Sequence, residues 1–237
     1  MKAKYKRILL KISGEAFLGK FSHGIDTAIC AHLARQIKEI AKFGTEIALV
    51  VGGGNIFRGV PKSKEFKMER TVADYMGMIA TVINGLALQN ALENESIDSR
   101  VMTAISMDKV AEPYIRRRAM RHLEKKRVVI FVAGTGNPYF TTDTAAALRS
   151  VEIGADALFK ATKVDGVYSS DPLEDKKAKL FKKLTYIDVI NKELKIMDST
   201  AITLCMENKL PITVFNFTKE DNLKKAVSGQ KIGTLIG

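Results

Sequence analysis

Short, uniformly apolar segments recur along the chain, and each is followed by a stretch with helical periodicity. This alternation constrains the fold more than any other feature. Lys6–Ser13 (KRILLKIS), Glu46–Val51, Arg100–Thr103, Arg127–Ala133, Ala157–Lys160 and Ile212–Phe217 read as strands. A strand apolar on both faces has to be covered on both, which a mainly parallel sheet between two helical layers provides. The expectation is therefore an α/β protein, a single domain over residues 1–237 built as a three-layer α/β/α sandwich.

Between the strands, Asp26 is placed to cap a helix that runs to Phe43 and closes at Gly44, with Ile29, Leu33, Ile37 and Ile40 on one face. A long helix is predicted from about Met68 to Glu93, with Val72, Met76, Ile79, Ile83 and Leu86 on its core side. Lys109–Lys126 reads as mostly helix, and another helix runs from about Thr142 to Ile153. Asp165-Gly166 between two valines signals a tight hairpin. Helices at Ile187–Leu194, Asp198–Lys209 and Asp221–Val227 and a short terminal strand complete the chain.

The longest apolar run, Val128–Ala133, is far from the roughly 18 residues of a membrane span. The apolar stretch Ile8-Leu9-Leu10 is broken by Lys11 and is too short for a secretory signal. Cys30 and Cys205 make neither a disulfide framework nor a metal cluster, which suits a cytoplasmic location. Lys plus Arg outnumber Asp plus Glu by 38 to 26, a net charge of +12. That excess fits a nucleic-acid binder or a protein that handles phosphorylated small molecules. The basic clusters Lys2–Arg7, Arg116–Arg127 and Lys176–Lys183 hold few aromatics to stack on bases, which favours the second.

Ligands of such sheets sit beyond the carboxyl ends of the strands. Gly14–Phe21 nearly spells a P-loop, but Phe21 stands where the magnesium-binding hydroxyl belongs and no helix starts at Lys20. What remains is a strand end, Lys11-Ile12-Ser13-Gly14, that offers a lysine and free amides. Gly52-Gly53-Gly54 comes directly off a buried strand and can form a concave nest of N–H groups, with Arg58 placed to clamp a phosphate. The hydroxyl-rich Gly134–Thr142 loop leads into a helix N-terminus, where Thr142 could act as a cap and Asp143 as a first-turn acid. Asp74, inside the long helix, would by default face solvent, and His23, His32 and His122 lack metal-ligand spacing. No Ser/His/Asp or paired-carboxylate arrangement stands out. Loops that bind anions, two cations and no evident base suit phosphoryl transfer, which rests on positioning and charge neutralisation. An acceptor that is itself a phosphate needs a base least, because its second pKa is about 6.

These segments resemble those of the bacterial UMP kinases (uridylate kinases) of the amino acid kinase fold. The similarity rests on KISGEA at Lys11–Ala16, VVGGGNIFRG at Val50–Gly59 and DYMGMIATVINGLA at Asp74–Ala87. It continues through GTGNPYFTTDTAA at Gly134–Ala146 and KATKVDGVYSSDP at Lys160–Pro172, and spans nearly the whole chain. The resemblance implies transfer of the ATP γ-phosphoryl group to UMP, with Mg2+ carried on ATP and no metal ligand assigned to the protein. It implies ATP contacts from Lys11, Ile12, Ser13, Gly14, Gly54, Arg58, Thr162, Tyr168 and Asp171. UMP would meet Gly53, Asp74 (at the ribose) and the segment Thr135, Gly136, Asn137, Pro138, Tyr139, Phe140, Thr141 and Thr142. Lys11, Arg58, Asp143 and Asp198 would be catalytic, Asp198 by orienting Lys11 or magnesium. Activation by GTP and inhibition by UTP are further implications, with Gly19, Lys20, Phe21, Ser22, His23 and Gly24 matching the GTP-responsive segment. A homohexamer is the usual assembly of such enzymes.

Two rival readings remain. One is a kinase of the same fold acting on a carboxylate or carbamate, which the Thr135–Thr142 wording and Asp74 disfavour. The other is a nucleotide-sensing or nucleic-acid-binding relative that has lost catalysis, against which Lys11, Arg58, Asp74 and Asp198 count.

Overall fold

A computed structural model describes residues 3–57, 68–172, 174–194 and 196–237; Arg58, Gly59 and the loop to Lys67 lie outside the described residues. The chain begins with β1 (Arg7–Ile12), a 3-10 turn at Gly14–Phe17, α1 (Thr27–Ala41), β2 (Glu46–Val51) and the long α2 (Arg70–Asn94). It continues through β3 (Ser99–Thr103), β4 (Glu112–Pro113), α3 (Arg116–Glu124), β5 (Val128–Val132), α4 (Thr142–Ile153) and β6 (Ala157–Thr162). After β7 (Val167–Tyr168), β8 (Leu180–Phe181) and β9 (Lys183–Leu184) come α5 (Tyr186–Asn191), α6 (Ser199–Glu207), β10 (Ile212–Asn216), α7 (Asn222–Val227) and β11 (Thr234–Ile236).

Among the described residues one sheet runs in the order β4-β3-β5-β2-β1-β6-β10-β11-β9. All its pairings are parallel except β10 with β11. The two faces of β1 feed two cores. Ile8, Leu10 and Ile12 pack with Leu33 and Ile37 of α1, Leu88 and Leu92 of α2, and Leu223 and Val227 of α7. Leu9 faces the other way, with Ala119 and Leu123 of α3, Ala146 and Ala147 of α4 and Ile202 of α6. Each such Leu or Ile contributes about 1.5–3 kcal/mol on burial, so the expected three layers follow from strands apolar on both faces. At the opening end of β1, Arg7 donates from Nε to Glu46 Oε2 at 2.7 Å across the β1–β2 register, both side chains buried. The two cysteines are buried; desolvation pushes the Cys30 thiol up to about 11 and the Cys205 thiol up to about 12, which leaves both protonated and inert.

Three expectations need correction. The stripe Val72, Met76, Ile79 and Ile83 is not the core face of α2, because these side chains are 38–46% exposed, with Tyr75 beside them and Leu86 half-buried. The buried face carries Ala73, Ala80, Gly85 and Ala91 along with Met78, Val82, Leu88 and Leu92. Small residues let the helix lie close to the sheet, and the ideal Cβ position at Gly85 already meets Val132. A helix with two apolar stripes offers no periodicity that tells them apart. The helix is long and apolar enough to cross a membrane by length and composition alone, yet this small-residue face is packed against the sheet.

Residues 109–126 form helix only from Arg116; Glu112-Pro113 instead pairs with Met102-Thr103 as an edge strand. Proline has no N–H and fits an edge. The Asp165-Gly166 turn does not fold β6 onto β7, since β7 pairs antiparallel with β8. Asn216 and Lys219 hold the Asp165 carboxylate instead, at 3.1 and 2.7 Å.

Candidate active site

Register places the central charges. β1 and β6 are parallel neighbours with Lys11 opposite Lys160, so both side chains emerge on the α4 side of the sheet. Asp143, in the first turn of α4, sits between them, 2.8 Å from Lys11 Nζ and 2.8 Å from Lys160 Nζ. All three side chains are at most 16% exposed. Burial opposes ionisation of Asp143, but the two ammoniums outweigh it and hold the carboxyl below its usual range. For Lys160, burial lowers the pKa and Asp143 only partly offsets the shift. Lys160 also donates to the Ile196 carbonyl. The result is a cluster with one cation in excess at the carboxyl end of the central strands, suited to phosphate oxygens.

The helix end that carries Asp143 is fixed by its own contacts. Thr141, not Thr142, is the cap of α4, and its hydroxyl accepts from the amides of Asp143 and Thr144 at 3.0 and 3.3 Å. Asp198 caps α6, accepting the Ala201 amide at 3.0 Å, and also accepts hydroxyls from Thr144, at 2.9 Å, and from Thr141. Its described contacts therefore tie the starts of α4 and α6 together; Lys11 is held by Asp143, not by Asp198.

Gly14 and Gly52 meet backbone to backbone where β1 and β2 end. A Cβ on Gly14 would lie 2.5 Å from the Gly54 nitrogen, and one on Gly52 would lie 2.7 Å from the Gly14 nitrogen. Gly53 lies against α2, with its Cβ position 2.7 Å from the Gly77 carbonyl oxygen. These glycines are required for close approach, whatever they also bind. Asp74 is not the solvent-facing acid that its helix would suggest. It accepts from Arg70 Nε at 2.7 and 2.9 Å and from the Tyr139 amide at 2.8 Å, which draws the Gly134–Thr142 loop onto α2. Tyr139 adopts φ 71°, and its ring lies under the Arg70 guanidinium. Thr135 bonds within its own loop, donating to the Asn137 carbonyl and accepting from its amide, each at 3.2 Å. Tyr139 and Phe140 are exposed.

On the β6 side a cleft of about 890 Å³ is lined by Lys11, Ser13, Thr162, Tyr168, Asp171 and Lys160. Five of these were expected around one nucleotide, and the fold gathers them from three segments, 11–13, 160–162 and 168–171. Ile12, Gly14 and Gly54, also expected there, are not among the lining residues, Ile12 being buried in the core, and Arg58 is outside the described residues. The segment Gly19–Gly24 is tied down at Gly24, whose carbonyl accepts from Asn55 at 2.8 Å. Lys160 and Arg70 were not among the expected site residues. A lysine inside an otherwise apolar strand, ALFKAT, was the available signal for Lys160; Arg70 gave only an i,i+4 spacing to Asp74.

Asp143→Asn would leave two buried ammoniums facing each other without a carboxylate. Urea unfolding should show a loss of about 3–5 kcal/mol.

The sequence model of the Amino acid kinase family matches residues 6–216. The structure superposes on that of UMP kinase from Bacillus anthracis with a TM-score of 0.95 and 40% identity, covering 98% of this chain and 96% of that one. UMP kinase from Ureaplasma parvum matches with a TM-score of 0.92 and 40% identity over 99% of each chain. Uridylate kinase from Archaeoglobus fulgidus matches at 0.74 and 26%, over 97% of this chain and 99% of that chain. With a two-faced parallel sheet, a lysine pair joined by one aspartate, and a family match over most of its length, the chain belongs to the amino acid kinase family.

Proposed function

We propose that this protein transfers the γ-phosphoryl group of ATP reversibly to UMP, giving ADP and UDP for pyrimidine nucleotide (UTP and CTP) supply. The observation that carries the reading is the Lys11–Asp143–Lys160 cluster, which borders the Tyr168–Asp171 cleft on one side and the helix start below the Thr135–Thr142 loop on the other. UMP as acceptor is supported by the two relatives 40% identical over nearly the full chain.

In this reading ATP occupies the cleft lined by Thr162, Tyr168 and Asp171, with its phosphates toward Lys11, Ser13 and the Gly14 and Gly54 amides. UMP lies along Gly53, Asp74 and Thr135–Thr142, with its ribose at Asp74. Arg58 completes the phosphate contacts. The attacking oxygen belongs to a phosphate whose second pKa is about 6, so it arrives largely deprotonated. Asp143 need not accept a proton, and held ionised by two ammoniums it is poorly suited to do so. Its work is to position Lys11 and Lys160 against the charge that develops on the migrating group and the departing ADP. Mg2+ at phosphate sites uses one or two carboxylates and fills its remaining positions with phosphate and water. Both Asp143 oxygens are engaged by Lys11 and Lys160, so the ion would be carried on ATP, where it neutralises phosphate charge, and no protein ligand is assigned to it. Asp198 supports catalysis by holding Thr141 and Thr144.

Regulation by GTP and UTP, with the Gly19–Gly24 loop as the GTP-responsive element, belongs to the same reading, as do a single domain and a cytoplasmic location. Assembly as a homohexamer belongs to the same reading; the exposed stripe Val72, Tyr75, Met76, Ile79 and Ile83 supports an interface between copies, whatever their number.

ADP release should be measured from ATP and magnesium with UMP, CMP, carbamate, aspartate and acetylglutamate offered separately. Strong turnover with UMP alone is expected; turnover with a carboxylate or carbamate would overturn the acceptor site. Asp74→Asn should raise KM for UMP about ten-fold or more, with KM for ATP little changed. The lowered pKa of Lys160 has a consequence for pH dependence. Its ammonium is lost as pH rises, at lower pH than for a surface lysine, so kcat should fall below the ordinary lysine range. Lys160→Arg, whose charge persists at any working pH, should move that fall upward in a kcat–pH profile.

A further inference from the structure

Beneath the Gly52–Gly54 turn lies a pair of asparagines that the proposed chemistry does not use. Asn55 and Asn84 are 4% and 0% exposed. Asn84 Nδ2 donates to Asn55 Oδ1 at 2.7 Å, and Asn55 Nδ2 donates back to Asn84 Oδ1 at 2.9 Å. The second N–H of each amide leaves the pair. That of Asn84 goes to the Gly52 carbonyl at 2.7 Å, and that of Asn55 goes to the Gly24 carbonyl at 2.8 Å. All four N–H groups and both side-chain carbonyls are thereby used. Turning either amide over would aim an oxygen at a backbone carbonyl, so the two carbonyls at Gly24 and Gly52 fix the orientation of the pair. The Gly24 amide donates to the Asn55 carbonyl at 3.0 Å, so the loop is held there by two bonds. A Cβ on Gly14 would lie 2.8 Å from Asn55 Oδ1, so the pair keeps its place only because residue 14 has no side chain. Three loops, around Gly14, Gly24 and Gly52, therefore meet on one rigid, fully bonded unit anchored in α2.

We propose that Asn55 and Asn84 are positioning residues that tie the 18–24 loop to the Gly52–Gly54 turn, so that displacement of the loop at Gly24 changes the rate of phosphoryl transfer. A packed, fully satisfied polar unit transmits a shift because it has no slack and because breaking any one bond strands a buried donor or acceptor. The inference rests on the proposed function only for the reaction used as readout.

Gly24 provides the test, because its φ of 86° disfavours any other residue while the space around it is open. Gly24→Ala therefore strains the loop without a clash. Steady-state kinetics and hydrogen exchange by mass spectrometry should be run on the wild-type chain, Gly24→Ala, Asn55→Ala and the double variant. Gly24→Ala is expected to lower kcat about five-fold with KM for ATP within about two-fold, and to speed exchange in a peptide covering residues 50–55; with Asn55→Ala present, its added effect on kcat should shrink below about two-fold. Equal effects of Gly24→Ala in both backgrounds, or exchange at 50–55 unaltered by Gly24→Ala, would overturn the coupling. If the wild-type chain does not phosphorylate UMP, the functional reading falls and the exchange comparison still decides the coupling. If Asn55→Ala does not fold, exchange in Gly24→Ala against wild type decides it alone.

Discussion

Two ammoniums on neighbouring strands repel, and the structure tolerates them only because one carboxylate lies between them. The register of β1 with β6 sets Lys11 beside Lys160, and the first turn of α4 brings Asp143 within 2.8 Å of each. Everything that fixes α4 is therefore part of the charge arrangement. Thr141 caps the helix, Asp198 holds Thr141 and Thr144, and the cap of α6 makes Asp198 immobile. In the proposed reaction, a phosphate entering this cluster would meet positive charge already assembled, with little left to reorganise during transfer.

The second dependence is steric. The ends of β1 and β2 touch through glycine backbone, and Gly53 presses equally closely on α2. Loops in this region can approach one another only because no side chain intervenes. The Asn55–Asn84 pair then locks beneath that contact what the absence of side chains permits above it.

Much of this was legible in the amino-acid sequence. Strand positions were readable because a parallel sheet demands continuous apolar runs, and α1 and α4 because Asp26 and the Thr141–Asp143 junction carry cap chemistry. The orientation of α2 was not readable: Ala73, Ala80 and Gly85 pack on the sheet while larger apolar residues face outward, and the larger residues attract the assignment. Glu112-Pro113 was hidden inside a stretch whose basic residues looked helical throughout. At the site, Lys11 stood out as a lysine at a strand end, whereas Asp74 read as a solvent-facing helical acid and Asp143 as a first-turn acid, and only the resemblance singled them out. Lys160, Arg70 and the two asparagines did not stand out, because their significance lies in partners distant along the chain: Lys160 meets Asp143 and Lys11 only through strand register, and Asn84 meets Asn55 only once α2 is docked. Side chains whose meaning is a cross-chain pairing leave no local signature.

Strand order divides the molecule at β1. On one side lie β2, β5, β3 and β4, drawn from residues 46–132; on the other lie β6, β10, β11 and β9, drawn from residues 157–236. Gly53, Asp74 and the Thr135–Thr142 loop belong to the first flank, whereas Thr162, Tyr168 and Asp171 belong to the second. The two flanks are thus inherited as consecutive blocks of chain that share a single strand. A lineage, or a designer, could rewrite the loops of the first block to admit a different small molecule and leave the second block untouched, provided that Lys11 kept its neighbours on both sides.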